Sequence, residues 1–538
     1  TIKNSNLTMP RYTSTSSYTA YIMYSSDLYY RRDGNHGTGN VVKDNVMSNG
    51  ISTTAGPYYG VIDYRGFRTQ TAGNTVTGNS ISDVYMAGVY NYYCNDWEAS
   101  NNKISFRSRT SYTVYGVYGY RGTGYNSGIK INGNQVENQN VSSGLYGVYT
   151  YYCYGNNTNP VEVKNNKISN IRILADRDFN GAYINRSYFV DVTGNKVSNV
   201  EVLGARTYRN AYAFNVYYSN DVNLKKNSVD NIKSLGGATW GLRTYRCNKL
   251  FIEDNIVNEL TTGATSGSVN AGAVFYYTKK GSFVNNVVSN SSGGRIYGLS
   301  IEGLSDSITV AHNTIATTSD ANNIYTYAFF GGENYDFVNN IAYNTGKPLR
   351  AGTNHDIIYS NISTDAYITN GYNDIYTSPN NTYNFRVNRT IYNTFAAYTD
   401  KAGDNTSVDH NPRFTNLAGS ILTPTNASIA NMGTPNYATN DVAGNLRTEC
   451  GPDLGAYEFF VDHSVSNLSS LPASICGGVE QPISIDVTNG SKFDSVAAPL
   501  YYQIGSKVVV ENADKMGPSN TVSHSFNKSA VFSKPGVN

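Results

Sequence analysis

Charge is scarce in this sequence. Charged residues are 15% of the 538 residues and the formal net charge is +2, against about 25% charged in a typical soluble domain. So neutral a surface has no electrostatic footprint for nucleic acid. The polar surface must come instead from Asn, Ser, Thr, Gly and 48 tyrosines. No run reaches the roughly 18 apolar residues that a membrane-spanning helix needs. No apolar pattern of period 3.6 is long enough for a helix, so helical solenoids are excluded. The six histidines, His36, His312, His355, His410, His463 and His524, are scattered without ligand spacing. No metal site is indicated, and no cofactor is expected.

What the chain does have is a repeated frame, apolar-x-x-Asn-x-apolar. It reads Val42 to Met47 around Asn45, Val76 to Ile81 around Asn79, and Ala99 to Ile104 around Asn102. Further copies centre on Asn134, Asn166, Asn195, Asn227, Asn255, Asn286, Asn313, Asn340 and Asn361, at intervals between 21 and 34 residues. Such periods mean a solenoid, a propeller or an array. Each contains short β-branched runs punctuated by Gly, Asn and Ser, and is shorter than the roughly 40 residues of a propeller blade. The expected fold is a right-handed parallel β-helix, with two or three strands per coil stacked about 4.8 Å apart. An inward Asn at a coil corner can then bond its neighbours above and below.

A second marker recurs, a small residue between an aromatic or small residue and an apolar one. Examples are Tyr59-Gly60-Val61, Ala87-Gly88-Val89, Tyr115-Gly116-Val117, Tyr146-Gly147-Val148, Tyr212-Ala213-Phe214, Trp240-Gly241-Leu242, Tyr297-Gly298-Leu299 and Tyr327-Ala328-Phe329. The residues after it alternate, so one set points outward. This predicts an outer stripe containing Tyr90, Tyr92, Tyr118, Tyr120, Tyr149, Tyr151, Tyr217 and Tyr245. Two readings stand: a contact surface for sugar faces or another rod, or aromatics that simply stack on a pleated surface.

Cys94, Cys153 and Cys247 each lie six residues after Gly88, Gly147 or Gly241, which places them in one column. Gly122 takes the equivalent place between Cys94 and Cys153, separating those two by about 9.6 Å, beyond the roughly 7 Å Cα limit for a disulfide. They read as buried free thiols. Cys450 and Cys476 straddle a domain boundary and could pair. The redox compartment stays open.

The frame is regular over residues 1–365, with Ser5 in the Asn position of the first coil. Residues 366–460 read as irregular closing coils. Within them, Ser407-Val408-Asp409-His410-Asn411-Pro412-Arg413-Phe414 precedes Asp441-Val442-Ala443-Gly444-Asn445-Leu446-Arg447 and Pro452-Asp453-Leu454-Gly455-Ala456-Tyr457-Glu458-Phe459. This series resembles the closing segment of the large secreted right-handed parallel β-helix surface proteins of Bacteroidota, with its D-x-x-G-N-x-R and D-x-G-A-Y-E pattern. The resemblance implies a very long extracellular protein, adhesin-like or filament-like, exported by type IX secretion, with immunoglobulin-like modules after the helix. The sorting domain of that family is not in this chain. Residues 461–538 alternate like sandwich strands, as in Pro482 to Thr488 and Tyr501 to Val510, and read as the start of an immunoglobulin-like module. The chain is expected to begin inside a longer protein.

Many parallel β-helices cleave polysaccharides. Hydrolysis needs two carboxylates about 5–9.5 Å apart, and a lyase needs a base beside groups that neutralise the substrate acid. Glu98, Glu162, Asp191, Asp221 and Glu253 read as falling on differing offsets near coil corners, a solvated edge. Arg243, Arg246 and Glu302 depart from the apolar or tyrosine pattern and are the best catalytic candidates, with weak surface pairing as the plain alternative. The expectation is a non-enzymatic structural and adhesive rod of an extracellular surface protein. It would assemble as a homo-oligomer, fibre or bundle, with a glycan or cell-surface ligand as a further partner. The alternative is a polysaccharide-binding or polysaccharide-degrading β-helix.

Overall fold

The structure is a computed structural model. It describes residues 1–8, 19–25, 39–48, 57–64, 73–92, 95–106, 113–120, 128–204, 209–263, 268–347, 349, 355–361, 368–378, 384–447, 451–459, 463–469, 480–489, 499–504, 507–514, 516–517 and 520–531.

Each coil contributes one strand to each of three parallel sheets, of 13, 13 and 14 strands, called here sheets 1, 2 and 3 in the order the chain visits them. One coil runs Val161–Lys164 in sheet 1, Lys167–Ile173 in sheet 2 and Phe179–Asn185 in sheet 3, and the next begins at Tyr188–Thr193. Successive strands pair with their counterparts one coil on, as Val163 does with Val192 and Ile168 with Val197, with register shifts after Ile104 and Asp356. The two apolar positions of the frame are thereby stacked into inward columns. Val163, Val192, Leu224 and Ile252 form one, and Ile168, Val197, Val229 and Val257 the other, all buried.

The Asn of the frame sits at the corner from sheet 1 to sheet 2. Its backbone N–H and its Nδ2 both donate to Oδ1 of the next Asn, at 2.9 and 3.0 Å from Asn195 to Asn227. The same Nδ2 donates to a carbonyl of the previous coil, Val163 O at 2.7 Å. Each buried amide is therefore saturated on both sides, the condition under which a buried polar column is tolerated. The ladder runs from the backbone N–H of Ser5, which donates to Asn45, to that of Asn373, which donates to Ser407 Oγ. Asn361 is not part of it, which corrects the sequence reading. Asn361 follows the sheet 3 strand His355–Ser360 and donates to Phe329 O, whereas Asn340 donates to Asn373 at 2.9 Å. Asn373 escaped the pattern because Asn370 replaces the apolar residue three positions before it, bonded to the Tyr398 hydroxyl at 3.2 Å.

The small marker residue opens sheet 3 where it passes closest to the sheet 2 column. A Cβ on Gly147 would lie 2.4 Å from Ile168 Cγ1 and 2.6 Å from Gly181 O. One expected marker is displaced by two residues: Tyr325 aligns with Tyr297 and Tyr327 with Leu299. Tyr327 is therefore an interior residue, 0% exposed.

Coils persist beyond residue 366, through Ile368–Gly371, Asp374–Thr377 and Asn384–Val387. The last coil is capped by the antiparallel strand Thr390–Tyr392 and the helix Phe395–Ala402, whose Tyr398 stacks on Phe385 at 4.8 Å. Residues 431–447 and 451–459 do not close the rod as coils. They fold back against the corner of sheets 1 and 2, where the outward positions change from Lys164, Lys225 and Lys167 to Val284, Ala311, Val338, Val287 and Ile341. Leu454, Ala456 and Tyr457 pack on that apolar patch.

The residues of the closing pattern form one buried polar clasp. Arg447 binds Glu458 Oε1 at 2.6 Å, Gly455 O at 2.9 Å and, back on the rod, Asn285 Oδ1 at 2.8 Å. Asp453 accepts the N–H groups of Asn431 and Phe459, and Asp441 those of Ala443, Asn445 and Glu458. Beyond the clasp, small antiparallel sheets, with pairs such as Ser484–Asn489 against Thr521–Ser525, enclose a separate core of Ile485, Val487, Leu500, Val509 and Phe526. This fits an immunoglobulin-like part.

Candidate functional site

Sheet 3 carries its aromatics in outward columns because successive coils are in register. One column reads Tyr90, Tyr118, Tyr149 and Tyr183, then Asn215 and Arg243. Its neighbour reads Tyr92, Tyr120, Tyr151, Asn185, Tyr217, Tyr245 and Tyr276, then Glu302. All eight tyrosines named from the sequence lie on this face. Tyr92 stacks on Tyr120 at 4.7 Å, Tyr118 on Tyr149 at 4.7 Å, Tyr149 on Tyr183 at 5.0 Å and Tyr217 on Tyr245 at 4.9 Å. The rings cover one another, so most are half-buried and Tyr118 is 8% exposed. Burial, reinforced by neighbouring hydroxyls, pushes the phenols of Tyr90, Tyr118 and Tyr146 far above their ordinary value. They stay protonated at neutral pH.

Of the catalytic candidates, Arg243 and Arg246 belong to one coil and flank the same ring, 5.6 and 5.5 Å from the Tyr245 centroid. Arg243 also hydrogen-bonds Asn215 at 3.0 Å and lies over Tyr212 and Tyr276. Glu302 stands two coils further on. Burial raises its carboxyl, opposed by hydrogen bonds from Ser300, at 2.7 Å, and Tyr276.

The acidic residues correct one expectation. Glu98, Glu162 and Asp191 share a column of sheet 1, with Lys130 between the first two. Their spacing in the sequence hid this because loop lengths differ between coils. Lys164 bridges Glu162 at 2.9 Å and Asp191 at 3.8 Å. Burial alone would raise Glu162, but hydrogen bonds from Lys164 and Asn132 hold it below the usual range. Asp221 pairs with Lys249 and Glu253 with Lys225. Among the described residues no cluster of three His, Cys, Asp or Glu could hold a metal, and no helix is long and apolar enough to cross a membrane.

At the corner from sheet 3 back to sheet 1 the inward column was anticipated from the cysteines, and the outward one was not. Here each coil places one residue in the left-handed region and points the next one inward. The inward column is Cys153, Ser187, Ser219, Cys247 and Thr278, linked by bonds such as Cys153 N–H to Ser187 Oγ at 3.2 Å. Cys153 and Cys247 are buried free thiols separated by the two serine coils, and burial pushes the Cys247 thiol up to about 11. Cys94, Gly122, Cys450 and Cys476 lie outside the described residues.

The outward column alternates Tyr152, Arg186, Tyr218, Arg246 and Tyr277, at φ between 48° and 55°. Arg186 lies 5.4 Å from the Tyr152 centroid and 5.6 Å from that of Tyr218; Arg246 lies 5.5 Å from Tyr218 and 5.6 Å from Tyr277. Arg186 donates to the Tyr152 hydroxyl at 2.6 Å and Arg246 to that of Tyr218 at 2.8 Å. The column ends at Gly303, over which the Tyr277 ring lies. The signal was present as a triplet, Tyr-Tyr-Cys, Asn-Arg-Ser, Tyr-Tyr-Ser, Tyr-Arg-Cys and Tyr-Tyr-Thr, closing five successive sheet 3 strands.

On sheet 2, a shallow groove of about 550 Å³ is lined by Asn170, Asn199, Asn231, Arg172, Glu201 and Lys233. Its charges are mutually paired, with Glu201 3.0 Å from Arg172 and 3.8 Å from Lys233.

No protein-family model and no curated protein sequence matches the chain. Among solved structures, a mutant tailspike protein of E. coli bacteriophage HK620 is similar at 10% identity, over 90% of this chain and 85% of that one, with a TM-score of 0.21.

Proposed function

We propose that this chain is a stiff, contact-bearing rod, a structural and adhesive segment of an extracellular surface protein. The observation that carries this reading is the continuous aromatic face of sheet 3, running from Tyr90 to Tyr276 and bordered by the Tyr/Arg corner. The fold needs outward residues there that tolerate a pleated surface, and Thr or Val would meet that need. A contiguous strip of tyrosine edges instead offers rigid amphipathic contact area at low entropic cost, the composition of an interaction surface. Parallel rods associating through this face would form a fibre or bundle. The extracellular setting and type IX export follow from the resemblance of the closing pattern. A second reading, a polysaccharide-binding rod, is favoured by guanidinium groups beside the rings that, among the described residues, form no ion pair with a carboxylate.

The test is attachment by the purified chain, measured as self-association in analytical ultracentrifugation and as binding to a glycan array. Tyr118→Ser with Tyr149→Ser is the comparison. Loss of either activity in the double variant supports the reading. A chain that neither associates nor binds, with or without the substitutions, removes it.

A further inference from the structure

We propose that the corner column Tyr152, Arg186, Tyr218, Arg246 and Tyr277, with Arg243 beside it, is a binding track for a carboxylate-bearing polysaccharide lying along the rod. The proposal rests on the adhesive reading above and names its ligand class.

The geometry supplies the repeat. Arg186 and Arg246 stand two coils apart, about 9.6 Å at the rise between stacked strands. That matches the length of an extended disaccharide, so a chain whose alternate sugars turn a carboxylate toward the rod meets a guanidinium at each repeat. Tyr218 lies between the two arginines, and Tyr152 and Tyr277 flank them. Their rings offer apolar surface to the C–H faces of the intervening sugars.

The arginines are also free to act. Arg186 donates through Nη1 to Tyr152 and Tyr151, Arg246 through Nη1 to Tyr218, and Arg243 through Nη1 to Asn215. Among the described residues none of the three faces a carboxylate, whereas Arg172, Arg386 and Arg447 each do. Most of each five-donor fork is left for a bidentate acceptor. The groove on sheet 2 has cations too, but Glu201 already occupies them.

The backbone points the same way. Left-handed φ favours Gly, Asn and Asp, and bulky residues held there cluster at ligand clamps. Five successive coils place Tyr or Arg at this position, and the next coil returns to Gly303. Single-stranded nucleic acid would also stack on these rings, but the near-neutral surface gives its backbone no electrostatic footprint along the rod.

The experiment uses the full chain, with polygalacturonate, the same polymer after reduction of its carboxyl groups, and a thymidine oligonucleotide as probes. Affinities are measured at low and high salt. The expected result is salt-sensitive binding to polygalacturonate at least tenfold tighter than to the reduced polymer, and at least a tenfold loss in Arg186→Gln with Arg246→Gln. Equal binding of both polymers, or tighter binding of the oligonucleotide, overturns the ligand class while leaving the adhesive face in place. Absence of binding to every probe, with self-association retained, overturns the track but not the rod. If the double variant loses its fold by circular dichroism, the comparison of the two polymers on the unsubstituted chain decides.

Discussion

At the corner between sheets 1 and 2, the left-handed position holds Asn101, Gly133, Asn165, Gly194, Lys226 and Asp254; at the corner between sheets 3 and 1 it holds Tyr152, Arg186, Tyr218, Arg246 and Tyr277. The backbone demand is the same at both. Placing an ordinary L-residue there costs about 1–2 kcal/mol, which Asn and Gly largely avoid. Among the described residues the first corner follows that preference at every coil but those of Lys226, His312 and Tyr372, and it locks its next residue, the ladder Asn, into a saturated buried amide column. The second ignores it and seals its inward column with weaker Ser, Thr and Cys contacts. A corner built by the rules of the fold reads as structure. A corner that departs from them in five consecutive coils reads as surface under another requirement.

Substitutions at the two corners should separate these roles. Asn195→Ala removes the acceptor of two Asn166 donors. With one buried unsatisfied donor costing about 1–3 kcal/mol, the loss should reach about 3 kcal/mol, read by urea denaturation followed with circular dichroism. The same change in an outer tyrosine should cost far less.

The clasp that docks on the first corner adds a pH dependence. Arg447 faces three buried carboxylates, Asp441, Asp453 and Glu458, and the cluster resists carrying the full negative charge. Burial, and then Glu458, raise Asp453 from 3.8 to about 7. With its folded value above its unfolded one, the native state holds the extra proton, so stability is greatest below about pH 4 from this group and is lost as pH rises through about 7. The shift corresponds to roughly 2–4 kcal/mol. Limited proteolysis of the clasp should therefore quicken between pH 5 and pH 8, as an order-of-magnitude window around that value, and Asp453→Asn should flatten the profile.

Gly147→Ala tests the close approach of sheets 2 and 3. The added methyl meets Ile168 and Gly181 O, and overpacking of this kind costs about 1–3 kcal/mol. Thermal unfolding measures it. The smallest effect is expected at the second corner. In Tyr218→Gly, relief of left-handed strain offsets the stacking lost against Tyr217 and Tyr245. Stability should change by no more than about 0.5 kcal/mol, while retention on immobilised polygalacturonate falls. A large loss of stability instead would make the column structural.

Much of this molecule was legible because a parallel β-helix writes its geometry as a period. The Asn frame located the first corner, its flanking apolar residues located two inward columns, and alternation placed Tyr118 and Tyr149 outward. The misses share a cause. Asn361 was counted and Asn373 overlooked because Asn370 answers to Tyr398 of the capping helix, a residue distant in the chain. Glu98, Glu162 and Asp191 looked unrelated because loop lengths vary while strand registers do not. The charged residues from Asp441 to Glu458 stood out in the sequence, but not that they clamp the flank at Asn285, 162 residues from Arg447.

By itself, then, the sequence determined the coil, its inward columns and the outward aromatic face, since the apolar columns repeat at fixed offsets from each Asn and the tyrosines at fixed offsets from the small residue of each sheet 3 strand. Only the tertiary structure decided which side chains of successive coils meet: the Tyr/Arg column, the carboxylate column beside Lys164 and the clasp. Those contacts depend on stacking across variable loops, and the distance between two residues along the chain carries no record of it.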